Sequence, residues 1–140
     1  MPVPFTPAWL ANDPAAHGWL PLDFRLPADR ARAIQAAAAH VMPAGLVDVI
    51  AAQQARLPPC TARDEAVAAL RDPDATAVVT GQQVGLFLGP LYTLYKAAST
   101  LRLARDLAKQ TGLPCVPVFW LQSEDHDFEE INYFNLFGTK

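Results

Sequence analysis

The sequence predicts an α/β chain, a βαβ unit of a parallel sheet preceded by amino-terminal helices. Two short runs suited to buried strands carry this reading, residues 75–80 and residues 116–121. Between them residues 90–111 hold a helical pattern. Strand, helix, strand in that order is a βαβ unit, whose crossover is almost always right-handed.

The elements follow in order. Residues 1–27 are rich in proline and aromatic rings (Phe5, Trp9, Trp19, Phe24) and read as an irregular arm that packs its rings onto another surface. Residues 29–41 are strong helix formers. Pro43 suits the first turn of a second helix reaching Leu57, with Leu46, Val49 and Ile50 at helical spacing. Pro58 and Pro59 end it. Thr61 followed by Asp64 matches a capping box for a third helix over residues 61–71, and Asp72-Pro73-Asp74 is a turn. Residues 1–74 thus read as an arm and helical preamble without identifiable chemistry, and residues 75–140 as the βαβ unit.

In the long helix Leu91, Leu94, Ala98, Leu101 and Ala104 fall on one side and Arg102, Asp106 and Lys109 on the other, as in a helix that covers a sheet. Gly112 and Pro114 supply its stop. Pro117 cannot donate to a ladder and belongs at the strand's start or on an edge. Trp120 is expected in the core.

The bulk numbers exclude several classes. The 140 residues lie in the single-domain range, 51% hydrophobic and 18% charged. A net charge of −3 with no basic patch argues against a general nucleic-acid binder. No run approaches the ~20 apolar residues of a membrane span, and the first residues lack the basic-then-apolar order of a signal peptide. Cys60 and Cys115 show no CxxC spacing and have no adjacent base to activate them, which fits structural thiols in a reducing cytoplasm. The chain stops at Phe137-Gly138-Thr139-Lys140, after a charged loop and without a closing element. Because two parallel strands need neighbours for stability, a piece of a longer polypeptide is expected, with an open and sticky sheet edge if made alone.

Ligands of open parallel sheets bind beyond the carboxyl ends of the strands, where two segments fall. The first, Thr80 to Tyr92, spaces glycines as Gly81, Gly85 and Gly89. That is neither GxGxxG nor GxxxxGK[ST]. It still offers close backbone approach and a helix amino terminus, the ingredients of an anion site; a long strand-to-helix turn is the plainer alternative. Lys96 sits in the first two turns of the helix, where the macrodipole disfavours a cation by ~0.3–1 kcal/mol unless an anion binds. Tyr92 and Ser99 share its face, and the alternative is a solvated lysine. Gln82 and Gln83 can both donate and accept.

The second segment, Ser123-Glu124-Asp125-His126-Asp127-Phe128-Glu129-Glu130, puts five of the fourteen acids within seven residues. Such crowding calls for solvent, a metal, or a cationic or ammonium group. His126 between two aspartates favours imidazolium and could relay a proton. A metal held by Asp125, His126 and Asp127 would match no established ligand spacing, and the acidic first turn of a helix or a wet loop would explain the cluster equally.

Taken together, Val78-Val79-Thr80-Gly81-Gln82-Gln83, Leu86-Phe87-x-Gly89-Pro90-Leu91-Tyr92-Thr93-x-Tyr95-Lys96, Pro117-Val118-Phe119-Trp120 and the acidic segment closely resemble the bacillithiol-biosynthesis cysteine-adding enzyme family. The match runs from Thr76 to Asn132; the first 70 residues fit only loosely. The resemblance implies a Rossmann-like core related to class I aminoacyl-tRNA synthetases, plus a helical coiled coil that forms a homodimer beyond this chain. It implies a cytoplasmic ligase that joins cysteine to glucosaminyl malate. Gly89-Pro90-Leu91-Tyr92-Thr93 stands where synthetases carry a Gly-Pro-Leu-His type signature, with Tyr92 in place of its first histidine. Tyr133 stands where relatives often have histidine.

On this reading His126, Asp125 and Lys96 are the candidate catalytic residues. Thr80, Gly81, Gln82, Gln83, Gly89, Tyr92, Ser123, Glu124 and Asp127 are candidates for holding substrate or an anion. No metal is assigned, and ATP or another nucleotide is the possible co-reactant. The partners expected are cysteine and glucosaminyl malate, with no nucleic acid and no membrane. A non-catalytic module that binds a nucleotide or sugar acid in the same crevice is the alternative. A conventional NAD dehydrogenase lacks support, because the fingerprint glycines and the acidic residue ~20 positions on are missing.

Overall fold

The computed structural model describes residues 4–124, Glu129 and Asn132. The chain divides into two compact units, residues 1–40 and residues 41–140.

The first unit contains helices α1 (Phe5–Leu10), α2 (Pro14–His17) and α3 (Pro27–Ala38). The expected irregular arm is therefore partly helical. Asp13 explains one turn of it, since its carboxylate accepts from the Ala15 N–H at 2.9 Å while Pro14 occupies the first helical position. The loop before α3 is organised by Arg25. Its Nε and Nη2 donate to both oxygens of the buried Asp23 at 2.7–3.0 Å. Nη2 also reaches Asn12 Oδ1 at 2.9 Å and Nη1 the Leu10 carbonyl at 3.3 Å. The guanidinium lies 4.8 Å from the centre of the Trp9 ring, a cation–π arrangement. Trp9 thus packs within its own unit, whereas Trp19 and Phe24 are exposed.

The second unit begins with α4 (Leu46–Gln54) and α5 (Thr61–Ala69). Gly45, at φ 81°, sits at the cap of α4, so the helix starts there and not at Pro43. The capping box expected at Thr61 is not formed. Thr61 is already helical, and Cys60 holds the cap position without a side-chain hydrogen bond. Arg63 takes over instead, pairing with Asp64 at 2.7 Å and donating to the carbonyls of Leu57 and Pro58 at 3.2 and 2.8 Å.

Strand β1 (Thr76–Gln83), a single 3₁₀ turn (Leu86–Leu88), helix α6 (Leu91–Thr111) and strand β2 (Cys115–Gln122) complete the unit. The two strands pair directly and in parallel, from Thr76 opposite Cys115 to Gln83 opposite Gln122. This is the predicted βαβ unit, with two shifts. β1 runs three residues further than expected, because the ladder with Trp120–Gln122 overrides the weak strand preference of Gly81, Gln82 and Gln83. Cys115 lies inside β2, and Pro117 sits opposite Val78 in a strand that, among the described residues, has one unpaired side, which can accommodate a missing N–H.

Of the face of α6 expected to be covered, only Ala104 is buried. Thr100, Ala104 and Leu107 are buried, with Ala104 at 0% exposure, whereas Leu91, Leu94 and Leu101 remain 66%, 50% and 45% exposed. Small side chains let the helix approach the sheet closely. The hydroxyls on that stripe cost little because each turns back into the helix: Thr100 Oγ1 donates to the Lys96 carbonyl and Thr111 Oγ1 to the Leu107 carbonyl, both at 2.8 Å. Gly112, at φ 73°, closes the helix as expected. Trp120, expected in the core, is 61% exposed. Gln82 reaches toward α6, so strand alternation places Trp120, opposite Gly81, on the other face.

The Arg25 pairing in the first unit has an acid signature. Its hydrogen bonds hold the Asp23 carboxyl down to about 2 from an ordinary 3.8. The stabilisation is complete above the ordinary value and is lost as pH falls from there toward 2. Carboxyl carbon NMR should find Asp23 still ionised at pH 3, and Asp23→Asn should remove this component of acid sensitivity. An Asp23 titration at the ordinary carboxylate value would contradict the pairing.

Candidate functional site

Direct parallel pairing brings the carboxyl ends of β1 and β2 to one edge of the sheet. Beyond Gln83 the ladder is extended by one bond, from the Val84 N–H to the Gln122 carbonyl at 3.3 Å. There the chain leaves β1, makes the Leu86–Leu88 turn and enters α6, whose first turn contains no acidic residue and whose cap, Pro90, offers no side-chain acceptor.

Lys96 projects back across this junction. Its Nζ donates to the Gly81 carbonyl at 3.1 Å and to Gln82 Oε1 at 2.9 Å. It lies 5.5 Å from the centre of the Tyr92 ring, and Gln82 Nε2 donates to Tyr92 Oη at 3.3 Å. Among the described residues no acidic side chain forms an ion pair with Lys96. The acceptors that hold it are neutral. A groove of about 420 Å³ runs beside this cluster, lined by Thr80 of β1 and by Tyr92, Tyr95, Lys96 and Ser99 of α6.

The loop leading into the helix has an uncommon backbone. Phe87, Leu88 and Gly89 all have positive φ, at 53°, 76° and 73°. Left-handed geometry at two bulky residues in succession is strained. Gly89 has ψ −157°, a region essentially reserved for glycine. A Cβ on Gly85 would stand 2.8 Å from the Gly89 Cα, so Gly85 has no room for a side chain, whereas a Cβ on Gly89 would meet nothing nearer than 3.5 Å and glycine is required there by conformation alone. Here the glycine spacing solves a turn. Gly81 is different: it sits in β1, and a Cβ there would press on Trp120 at 3.1–3.2 Å.

Of the residues singled out from the sequence, Gly81, Gln82, Tyr92 and Lys96 are brought into direct contact, and Thr80 lines the same groove. Gln83 is the last residue of β1, and Gly89 shapes the turn. Thr80, Gly81, Gln82 and Gln83 belong to the strand and not to a loop, because they pair with Phe119–Gln122. Ser123 and Glu124 follow β2 at the same sheet edge and are exposed. Asp125, His126, Asp127 and Tyr133 lie outside the described residues. Tyr95, Thr100 and Leu103 also line the groove. Their signal was helical spacing from Lys96, since positions 92, 96, 99/100 and 103 share a stripe.

Over residues 9–140 the chain matches the family described as bacillithiol biosynthesis BshC, N-terminal Rossmann-like domain. The chain belongs to this family. Relatives named "Putative cysteine ligase BshC" include one from Salinibacter ruber, 71% identical over 62 residues, which cover 44% of this chain and 11% of that protein. Another, from Heliobacterium modesticaldum, is 58% identical over 67 residues (48% of this chain and 12% of the relative). A longer alignment, to the Solibacter usitatus protein, gives 43% identity over 118 residues, 83% of this chain and 22% of the relative. The chain therefore spans about a fifth of that relative's length, and shorter matches cover less. The family's Rossmann-like description agrees with the parallel β1–β2 pair and the helix that crosses between them.

The turn supplies a direct test. Gly89→Ala forces a side chain into a glycine-only conformation and should weaken the local structure by about 1–3 kcal/mol. Leu88→Gly relieves one left-handed residue and should strengthen it by ~1 kcal/mol. Hydrogen exchange of the amides of residues 85–93 in the full-length protein would report both. Equal protection in the two variants would remove the claim of strain.

Proposed function

We propose that this chain is the amino-terminal part of a cysteine ligase of bacillithiol biosynthesis, which adds cysteine to glucosaminyl malate by forming an amide bond. The naming of relatives as cysteine ligases supports the chemistry. The observation that carries the site is Lys96 at the carboxyl edge of the sheet, where among the described residues its hydrogen-bond acceptors are neutral. Such a cation suits an oxyanion, and amide formation involves one: the cysteine carboxylate, or the phosphate of the nucleotide that activates it. Activation is needed because a free carboxylate and an amine do not condense spontaneously in water.

In this reading Lys96 and the start of α6 hold the anion, with Thr80, Gly81, Gln82, Gln83, Gly89 and Tyr92 shaping that side. Ser123, Glu124 and Asp127 hold the sugar amine, and Asp125 and His126 move the proton released as the amine attacks. ATP or another nucleotide is the co-reactant. Residues 1–74 are the preamble, and residues 75–140 the first βαβ unit of the larger core. The enzyme is cytoplasmic and dimerises through a coiled coil outside this chain. Among the described residues no helix is long and apolar enough to cross a membrane.

In cells whose only copy is the full-length Lys96→Ala or His126→Ala protein, bacillithiol should fall about tenfold or more, the scale of one lost charged contact in a transition state. Unchanged thiol at normal protein abundance would remove that residue from the mechanism. Purified full-length protein given ATP, cysteine and glucosaminyl malate should release the amide product. Binding without product would favour a non-catalytic module in the same crevice.

A further inference from the structure

We infer that Gln82 is a positioning residue: its carboxamide sets the direction of the Tyr92 hydroxyl, so that the phenol O–H and the remaining N–H of Lys96 form a paired donor for one oxyanion at the groove beside β1. The inference rests on the anion-holding role proposed for Lys96 and adds how that role is built.

The argument is one of hydrogen-bond polarity. An ammonium group only donates. Gln82 meets Lys96 Nζ at 2.9 Å, so the atom it presents there must be the carbonyl oxygen. The reverse orientation would set an NH₂ group against the ammonium. With Oε1 fixed on Lys96, Nε2 faces Tyr92 Oη at 3.3 Å. An amide nitrogen donates and does not accept. The Tyr92 oxygen is therefore the acceptor in this contact, and its own proton must point elsewhere. Lys96 directs a second N–H to the Gly81 carbonyl at 3.1 Å, which among the described residues leaves one of its three donors.

The two unused donors belong to side chains that border one groove. Nζ lies 5.5 Å from the centre of the Tyr92 ring, and both residues are exposed and line the same groove with Thr80 and Ser99. Two donors on one groove, one of them charged, suit the two oxygens of a carboxylate or two oxygens of a phosphate. Gln82 suits its position for a reason that glutamate would not satisfy. A carboxylate accepts on both oxygens, so it would neutralise Lys96 and also draw in the Tyr92 proton.

The test is calorimetry on the full-length protein with sodium malate and inorganic phosphate as probes. Wild-type protein should bind at least one; malate identifies a carboxylate as the preferred oxyanion, and phosphate a phosphoryl group. Gln82→Glu should weaken binding of that probe about tenfold or more. A charge effect alone would do the same, so the decisive readout is a double-mutant cycle with Tyr92→Phe. Tyr92→Phe should cost about fivefold in the wild-type background, and almost nothing in the Gln82→Glu background, where the hydroxyl has already turned away. Should Gln82→Glu melt early, Gln82→Met replaces it in the cycle, with the same loss of additivity. Strictly additive effects in variants that melt like wild type would overturn the positioning role while leaving the anion site intact. A wild-type protein that binds neither probe would overturn the anion site itself.

Discussion

The parallel pairing of β1 with β2 is the constraint on which the rest of the second unit depends. With Thr76 opposite Cys115 and Gln83 opposite Gln122, the strands end together, so whatever follows each of them must leave from one edge. The pairing also extends β1 through Gly81 and Gln82, and only that extension brings the Gly81 carbonyl and the Gln82 side chain under Lys96. Had β1 stopped at Thr80, the same residues would belong to a loop with no fixed relation to α6.

That constraint explains why α6 approaches the sheet through small residues. Ala104, without any exposed surface, and Thr100 lie on the buried stripe, with Leu107 one turn further on. A close helix shortens the path from Lys96, two turns into α6, back to the strand. The turn that feeds the helix must then reverse within a few residues, and the contact between Gly85 and Gly89 with left-handed Phe87 and Leu88 is how it does so. Strain in the turn, close packing of the helix and the placement of the lysine follow from one another.

Much of this was legible in the chain. The β-branched run at 75–80 and the helical pattern over 90–111 state the βαβ unit plainly, and Gly112 marks the helix end. What was not legible has physical reasons. The helical pattern pointed to Leu91, Leu94, Ala98, Leu101 and Ala104 as the covered face; of these Ala104 alone is buried, and Thr100 and Leu107, three or four residues to either side, complete the buried stripe. Thr61 and Asp64 have the letters of a capping box, but Arg63 competes for Asp64 and ties the preceding carbonyls. Gly81-Gln82-Gln83 reads as a loop in isolation, because a ladder's contribution depends on a partner about forty residues away. Positive φ at Phe87 and Leu88 leaves no trace in residue type.

Two well-coordinated cations differ in a way that bears on where function resides. Arg25 is neutralised where it stands: a buried carboxylate takes up Nε and Nη2, Asn12 and the Leu10 carbonyl accept further bonds, and Trp9 covers its plane. Its charge is matched within the unit. Among the described residues Lys96 meets two acceptors, neither with a net charge, and keeps a donor in reserve. A fold that needed the lysine only to tie β1 to α6 would gain more from a carboxylate at position 82, which would pair with the charge. Glutamine gives up that attraction and keeps the positive charge available at the sheet edge. Such a choice is what the anion-holding role proposed for Lys96 requires.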